Sequence, residues 1–399
     1  MKSNYEPLGK HIRLVDYRNS EEVTSTVLGI SIDKEFMPSV ANVIGTDLSR
    51  YKLISKGLFA CNPMHVGRDE RLPIALYEKD NASIVSPAYF MFEIIDRDVL
   101  NEEYLMMWFR RPEFDRECWF MTDGSVRGGI TWDDLCRIQL PGPPYERQLD
   151  VVESYRAITR RIAMKKEIND NLAKTIKAVF KSWFLDFDAF DGVELVQSQY
   201  GLIPNGWHYE LLGNLCDCVT KGTTPTTLGK DFTDTGINFI KGESINDDHS
   251  FNKTLFAHID DETDELLKRS RIYVNDIVFT IAGTLGKFAL VDSAVIPANT
   301  NQAVAIIRTS KIMPAMLYSY FIGEWQVEFY KRNTQQAVQA NLSLGTIKDL
   351  PILLPDSKGQ DHYMQLVTPL IVGMQNNFSE IERLYELQNQ LLARLSSSR

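Results

Sequence analysis

The sequence predicts an α+β fold: two mixed α/β domains in a pseudo-twofold arrangement, separated by two long amphipathic helices packed as an antiparallel coiled coil. Three observations predict it. The segment Ile130-Thr131-Trp132-Asp133-Asp134-Leu135-Cys136-Arg137-Ile138-Gln139-Leu140-Pro141 is echoed by the segment Leu342–Pro355, with Ile130 and Leu342 212 positions apart and the closing Leu-Pro pairs 214 apart, as if the second copy had gained two residues. Each copy is followed, from Gln148 and Gln360, by about forty residues with apolar spacings of three and four. Each is preceded by short strand-like runs and one helix-like stretch. A repeat of this period is too long for a solenoid, whose units run roughly 20–50 residues.

In order along the chain, residues 1–144 form the first domain. Its strands are expected at 26–32, 83–86 and 89–95, with turns at Asn62-Pro63 and Ser86-Pro87 and a helix over 101–110. Residues 145–192 hold the first long helix: Val151, Tyr155, Ile158 and Ile162 make one apolar stripe, and Ile168, Leu172, Ile176, Val179 and Trp183 resume it after a phase shift. Residues 193–357 repeat the texture of the first domain, with strands at 236–240, 276–281 and 303–307 and a helix over 315–330. Residues 358–399 form the second long helix, with Phe378, Ile381, Leu384, Leu387, Leu391 and Leu395 on its stripe and a kink or break expected at Pro369 and Gly373.

With 399 residues, 44% hydrophobic and 24% charged, the chain has the composition of a soluble protein with two cores. No run is apolar enough to span a membrane and the first residues do not read as a signal peptide, so a cytoplasmic protein is expected. Five scattered cysteines fit reduced thiols, and Cys216-x-Cys218 without a second pair reads as two thiols on one strand face rather than a metal site. A net charge of −10 does not exclude nucleic acid, because screening over ~8 Å makes local charge what a phosphate feels.

Catalytic signatures are missing. Pro143-Pro144-Tyr145 follows Gly142, which has no side chain to accept the target amine of an amino-methyltransferase. Gly283-Thr284-Leu285-Gly286-Lys287 lacks the spacing of a nucleotide-binding loop and reads as a tight turn. Pro355-Asp356-Ser357-Lys358 has the letters of a nuclease motif without its second strand, and His65 and His208 have no nucleophile partner. This points to a binding module.

Gly201-Leu202-Ile203-Pro204-Asn205-Gly206-Trp207, then Leu212-Gly213, Thr220-Lys221-Gly222-Thr223-Thr224-Pro225, Gly236-Ile237-Asn238-Phe239-Ile240-Lys241-Gly242 and Asn341-Leu342-Ser343 to Ile352, resemble a target recognition domain of the specificity subunits of type I restriction-modification systems. Gln148, residues 169–172 and Phe180-Lys181-Ser182-Trp183-Phe184-Leu185-Asp186-Phe187 resemble that family's central region. The first domain departs from the pattern, opening with Pro7-Leu8-Gly9-Lys10-His11-Ile12. The resemblance implies a non-catalytic subunit that binds a split target in double-stranded DNA, each domain reading one half-site while the helices set the gap. It implies two modification (methyltransferase) subunits using S-adenosylmethionine on one adenine per half-site, and restriction (motor/nuclease) subunits using ATP and Mg, with no cofactor or metal in this chain. A helical scaffold pairing partner proteins without reading DNA is the alternative.

Loop side chains with donors and acceptors are the DNA-contact candidates. In the first domain these are Asn62, His65, Arg68, Arg71, Ser86 and Arg127; in the second, Lys221, Thr223, Thr224, Lys241, Lys287, Asn299, Thr300, Asn301 and Gln302, with Gln335, Gln336 and Gln339. Two readings of Asn299-Thr300-Asn301-Gln302 stand, a set of adenine-pairing side chains or a polar turn. The basic run Arg156, Arg160, Arg161, Lys165 and Lys166 is either a DNA-facing or a solvated helix face. Phe180, Trp183, Phe184 and Phe187 are expected as a hinge core or a partner-docking surface.

Overall fold

Each copy of the repeated segment folds, in the computed structural model, as a short helix followed by a strand. The structure describes residues 5–39, 45–64, 66–122, 128–190, 192–334 and 341–395. Thr131 and Asp134 cap each other's backbone at the start of the helix Trp132–Arg137. Ser343 Oγ accepts the Thr346 amide at 2.9 Å and starts the helix Leu344–Lys348. The following strands, Gln139–Pro141 and Pro351–Leu354, pair antiparallel with Tyr5–Pro7 and His208–Leu211. Leu8 donates its N–H to Ile138 at 2.8 Å as Leu212 does to Leu350 at 2.9 Å. Glycine is required beside each: a Cβ on Gly9 would lie 2.8 Å from Cys136 Cβ, and one on Gly213 2.9 Å from Lys348 Cβ. Gln148 then donates to the Pro143 carbonyl and Gln360 to the Pro355 carbonyl.

These contacts correct the sequence comparison twice. The offset of 212 holds from Ile130/Leu342 to Gln148/Gln360, so no two residues were gained; the second Leu-Pro of the later copy is a coincidence outside the register. The first domain also opens like the second, because Tyr5-Glu6-Pro7-Leu8-Gly9 occupies the place of Tyr209-Glu210-Leu211-Leu212-Gly213.

The chain divides into two units. The first, Met1–Ile162 with Glu382–Arg399, contains β1 (Tyr5–Pro7), β2 (Ile12–Leu14), β3 (Val27–Ile30), β4 (Phe36–Pro38), β5 (Lys52–Ile54), β6 (Phe59–Cys61), α1 (Val66–Asp69), β7 (Ile74–Leu76), β8 (Ser83–Val85), β9 (Phe90–Ile94), α2 (Glu102–Phe109), α3 (Pro112–Phe120), α4 (Trp132–Arg137), β10 (Gln139–Pro141) and the first part of α5 (Tyr145–Phe184). One sheet has the antiparallel order β2-β9-β6-β7; a second has the order β4-β3-β8-β5, with β3 and β8 parallel. Phe59 stacks on Phe92 at 5.0 Å and both meet Phe109 of α2 edge-on. That core takes in Val152 and Tyr155 of α5 together with Leu392 and Leu395.

The second unit, Ala163–Ile381, contains the rest of α5 and then β11 (Leu195–Ser198), β12 (Gly201–Pro204), β13 (His208–Leu211), β14 (Cys216–Lys221), β15 (Ile237–Ile240), β16 (Ala257–Ile259), α6 (Asp261–Leu266), β17 (Ile277–Thr280), β18 (Phe288–Leu290), β19 (Ala298–Thr300), β20 (Val304–Thr309), α7 (Pro314–Ile322), α8 (Trp325–Thr334), α9 (Leu344–Lys348), β21 (Pro351–Leu354) and most of α10 (Ser357–Arg394). Its topology repeats that of the first unit. The sheet β14-β20-β17-β18 is antiparallel, and in β16-β15-β19 the strands β15 and β19 are parallel. Where β5 lies on β8, an antiparallel bridge joins Ile272 to Ala298. The single helix expected over 315–330 is two helices, separated where Glu324 takes a φ of 61°.

Both long helices differ from expectation in instructive ways. Along α5 the buried side chains Tyr155, Ile162, Asn169, Ile176 and Trp183 recur every seven residues, so the seam has no phase shift. Ile168, expected on the stripe, is exposed, and the polar Asn169 takes its place. Asn169 is buried because Asn377 Nδ2 donates to its Oδ1 at 2.7 Å and Lys165 Nζ donates to Asn377 Oδ1 at 2.9 Å. Within the second unit Lys165 also meets Glu380 at 2.8 Å and Asn169 Nδ2 reaches the Met374 carbonyl, so the helices run antiparallel there; within the first, Gln388 donates to Thr159 at 3.0 Å. Helix α10 continues through Pro369, which sits on the exposed face while Val367, Ile371 and Met374 hold the opposite face in the core. Burial of that face outweighs one lost backbone hydrogen bond. The aromatic run also faces inward: Phe180, Trp183 and Phe184 are core side chains packed on Tyr320 and Tyr363, and Phe187 is half-buried against Trp207. The first three are therefore not a docking surface.

Candidate nucleic-acid interface

In the second unit, the carboxyl ends of β14, β15, β17 and β19 meet at one edge. Lys221 pairs with Ala305 and Thr280 with Val304 at the start of β20, while Ile240 lies beside Thr300 in the parallel ladder. The edge is tied together across strands: Gly222 donates its N–H to Asn301 at 3.0 Å, Thr300 Oγ1 donates to Ile240 at 2.7 Å, and Lys287 N–H donates to Thr280 Oγ1 at 2.9 Å. A Cβ on Gly222 would fall 1.6 Å from the Thr300 carbonyl oxygen, so only glycine allows β14 this close to the 300–302 turn.

The structure brings several of the expected residues to this edge. Lys221 is exposed, and Thr223 and Thr224 are half-buried beside it. The Lys241 ammonium stands 4.7 Å from the Phe232 ring centre, and Lys287 pairs with Asp247 at 3.0 Å. Gly283 and Gly286, both at positive φ, form the turn between β17 and β18, as the sequence reading expected in preference to a phosphate loop. Asn301 Oδ1 accepts the Ala303 amide at 3.0 Å, and the exposed Gln302 accepts the Thr224 hydroxyl at 2.5 Å.

Two expected contacts are corrected. Asn299 is fully buried, donating to Asp264 at 3.0 Å and the Leu267 carbonyl at 3.1 Å and accepting from Ser270 at 2.7 Å. Thr300 is fully buried on the Ile240 carbonyl. Both satisfy buried backbone and side-chain groups and cannot reach a ligand. The corresponding first-unit residues, Ile84 and Val85, are apolar and buried.

The first unit places its candidates on the equivalent edge, with different chemistry. Ser86 Oγ accepts the Ala88 amide as Asn301 accepts that of Ala303, and Asn62 Oδ1 accepts the Met64 amide. Arg68 is held by its neighbour Asp69 at 2.7 and 2.9 Å, and Arg71 by Asp33 at 3.3 Å. His65, Arg127, Gln335, Gln336 and Gln339 lie outside the described residues. Leu14 pairs with Phe92 as Val219 pairs with Ile307, so Asp16 stands where the second unit has Lys221. Asp16 holds Arg18 at 2.7 Å and faces Lys52 at 3.7 Å, and burial pushes the Lys52 ammonium below the usual lysine range despite that carboxylate. Asp16, Arg18 and Lys52 were missed by sequence reasoning: the Tyr-Glu-x-Leu-Gly repeat sets Asp16 beside Thr220, and only the irregularity between Cys216 and Cys218 in β14 brings it level with Lys221. On the basic helix face, Arg156 is bonded to Glu103 and Lys165 to Asn377 and Glu380.

Residues 204–382 match the family model described as the type I restriction modification DNA specificity domain. The type I restriction enzyme MjaIX specificity subunit of Methanocaldococcus jannaschii is 23% identical over 308 residues, 76% of this chain and 70% of that protein. Over its second unit the chain is thus similar in sequence to the type I specificity subunits. The HindI specificity subunit of Haemophilus influenzae is 21% identical over 381 residues, 79% of this chain and 78% of that one. The crystal structure of a type I restriction-modification system S subunit from M. genitalium shares the fold, at a TM-score of 0.54 and 14% identity over 99% of this chain and 97% of that one. The family match begins at the end of β12 and leaves out the first unit, whose sheets nevertheless repeat the topology of the matched one. No described helix of this chain is long and apolar enough to cross a membrane.

Proposed function

We propose that this chain is a type I specificity subunit that reads a bipartite target in double-stranded DNA, one half-site per unit. One observation carries the reading: the two units share a strand topology and the same turn before β9 and β20, yet present different side chains at the same edge, Lys221 and Asn301 in one and Asp16 and Ser86 in the other. A shared scaffold with divergent edges suits two readers of different sequences. Lys221, Lys241 and Lys287 supply local positive charge for phosphates within an acidic chain. The paired helices serve as the ruler for the gap and as the docking site for two modification subunits, which methylate one adenine in each half-site with S-adenosylmethionine. A restriction subunit with ATP and Mg cuts unmodified DNA, and the complex works in the cytoplasm. Co-expression of the chain with its modification subunit and genome-wide mapping of methylated adenines tests this: one motif with two half-sites at a fixed gap is expected, and absence of any methylated bipartite motif refutes it.

A further inference from the structure

The edge of the second unit holds one side chain whose chemistry is set by its neighbours. Gln302 is exposed, and its Oε1 accepts the Thr224 hydroxyl at 2.5 Å. Thr224 is itself held: its carbonyl accepts the Thr227 amide at 3.0 Å and the Thr227 hydroxyl at 2.7 Å, and the next residue, Pro225, is buried. Gly222, where a Cβ would overlap the Thr300 carbonyl, fixes this segment against the turn that carries Gln302. The Gln302 amide is therefore oriented before any ligand arrives, with its acceptor turned to Thr224. Among the described residues nothing bonds its Nε2 amino group.

We propose that Gln302 is a specificity-determining residue that reads guanine, with Thr224 as its positioning residue. This rests on the DNA-reading function above. Bidentate recognition of adenine needs a side-chain acceptor for N6 and a donor for N7, whereas guanine offers two acceptors, N7 and O6, in the major groove. A glutamine whose oxygen is engaged by Thr224 presents donors, which match guanine. Asn301 instead turns its Oδ1 back onto its own loop, where it accepts the Ala303 amide at 3.0 Å. The polar turn and the base reader, alternatives from the sequence, are thus divided among the residues: Asn299 to Asn301 build the turn and Gln302 reads.

The test uses the full chain assembled with its modification subunit and duplexes carrying the motif that this complex methylates. Each guanine of the motif is replaced in turn by 7-deazaguanine, which lacks the N7 acceptor. One position is expected to weaken wild-type binding about tenfold. Gln302→Ala should bind the normal and substituted duplexes equally, and Thr224→Val, which keeps the shape and removes the hydroxyl, should lose most of the discrimination while retaining affinity for unrelated DNA. Insensitivity of the wild type to every guanine replacement overturns the proposal and leaves DNA reading intact. So does a Gln302→Ala variant that weakens all sequences equally, the mark of a phosphate contact. A wild-type complex that methylates no motif overturns the DNA-reading function itself.

Discussion

Asn377→Ala is the most informative single change in the helix pair. In the native protein Asn169 and Asn377 are 4% and 7% exposed, and each depends on the other for a hydrogen bond of 2.7 Å. Removing the Asn377 amide leaves Asn169 Oδ1 buried without a donor, which costs about 1–3 kcal/mol, and takes from Lys165 one of its two partners. A central value of about 2 kcal/mol corresponds to roughly 30-fold faster local opening. Replacing both residues, in Asn169→Leu with Asn377→Leu, removes donor and acceptor together and should return protection to near the wild-type level, because an apolar pair fits the seam. Hydrogen exchange of the helical amides over 165–177 and 371–381 reads this locally, which matters because a two-unit chain need not unfold in two states. An exchange rate in Asn377→Ala within about twofold of wild type, or a double leucine variant as unprotected as the single one, would show that the pair does not hold the seam.

Other changes address the edge and the ruler. Gly222→Ala should destabilise the second unit by more than about 2 kcal/mol in thermal unfolding, because its methyl overlaps the Thr300 carbonyl and the backbone must move; a shift within error would contradict the close approach. Alanine at Lys221, Lys241 and Lys287 together should lower the slope of log affinity against log salt by about 3 while the recognised motif stays the same. A changed motif with an unchanged slope would make these lysines base readers instead. Inserting seven residues into both long helices, which preserves the seven-residue seam, lengthens the pair by ~10 Å, about three base-pair steps of ~3.4 Å. Methylome sequencing should then show both half-sites at a wider gap; altered half-sites would refute the ruler.

Much of the fold was legible because it rests on local signals. The two long helices followed from apolar spacing, and the central strands from β-branched runs such as Ala303-Val304-Ala305-Ile306-Ile307. What was hidden depended on partners distant in sequence. Asn169 is absent from a stripe drawn through apolar residues until Asn377 is placed across from it, and Asn299 stands open between base reader and polar turn until Asp264, Leu267 and Ser270 surround it. The aromatic run of α5 reads equally as core or surface, since apolar character is common to both, and only the packing of Tyr320 and Tyr363 decides it. Pro369 misled in the opposite direction: the sequence shows the missing donor but not the exposed face that tolerates it. At the edge, residue types were readable and their roles were not, because Thr224 and Gln302 lie 78 positions apart.

The claim that one chain carries two independent readers on a shared scaffold is tested most directly by exchanging residues 1–144 for those of a relative with a different target, then sequencing the methylome. One half-site should change to that of the relative while the other half-site and the gap persist. A change in both half-sites, or in neither, would contradict the account.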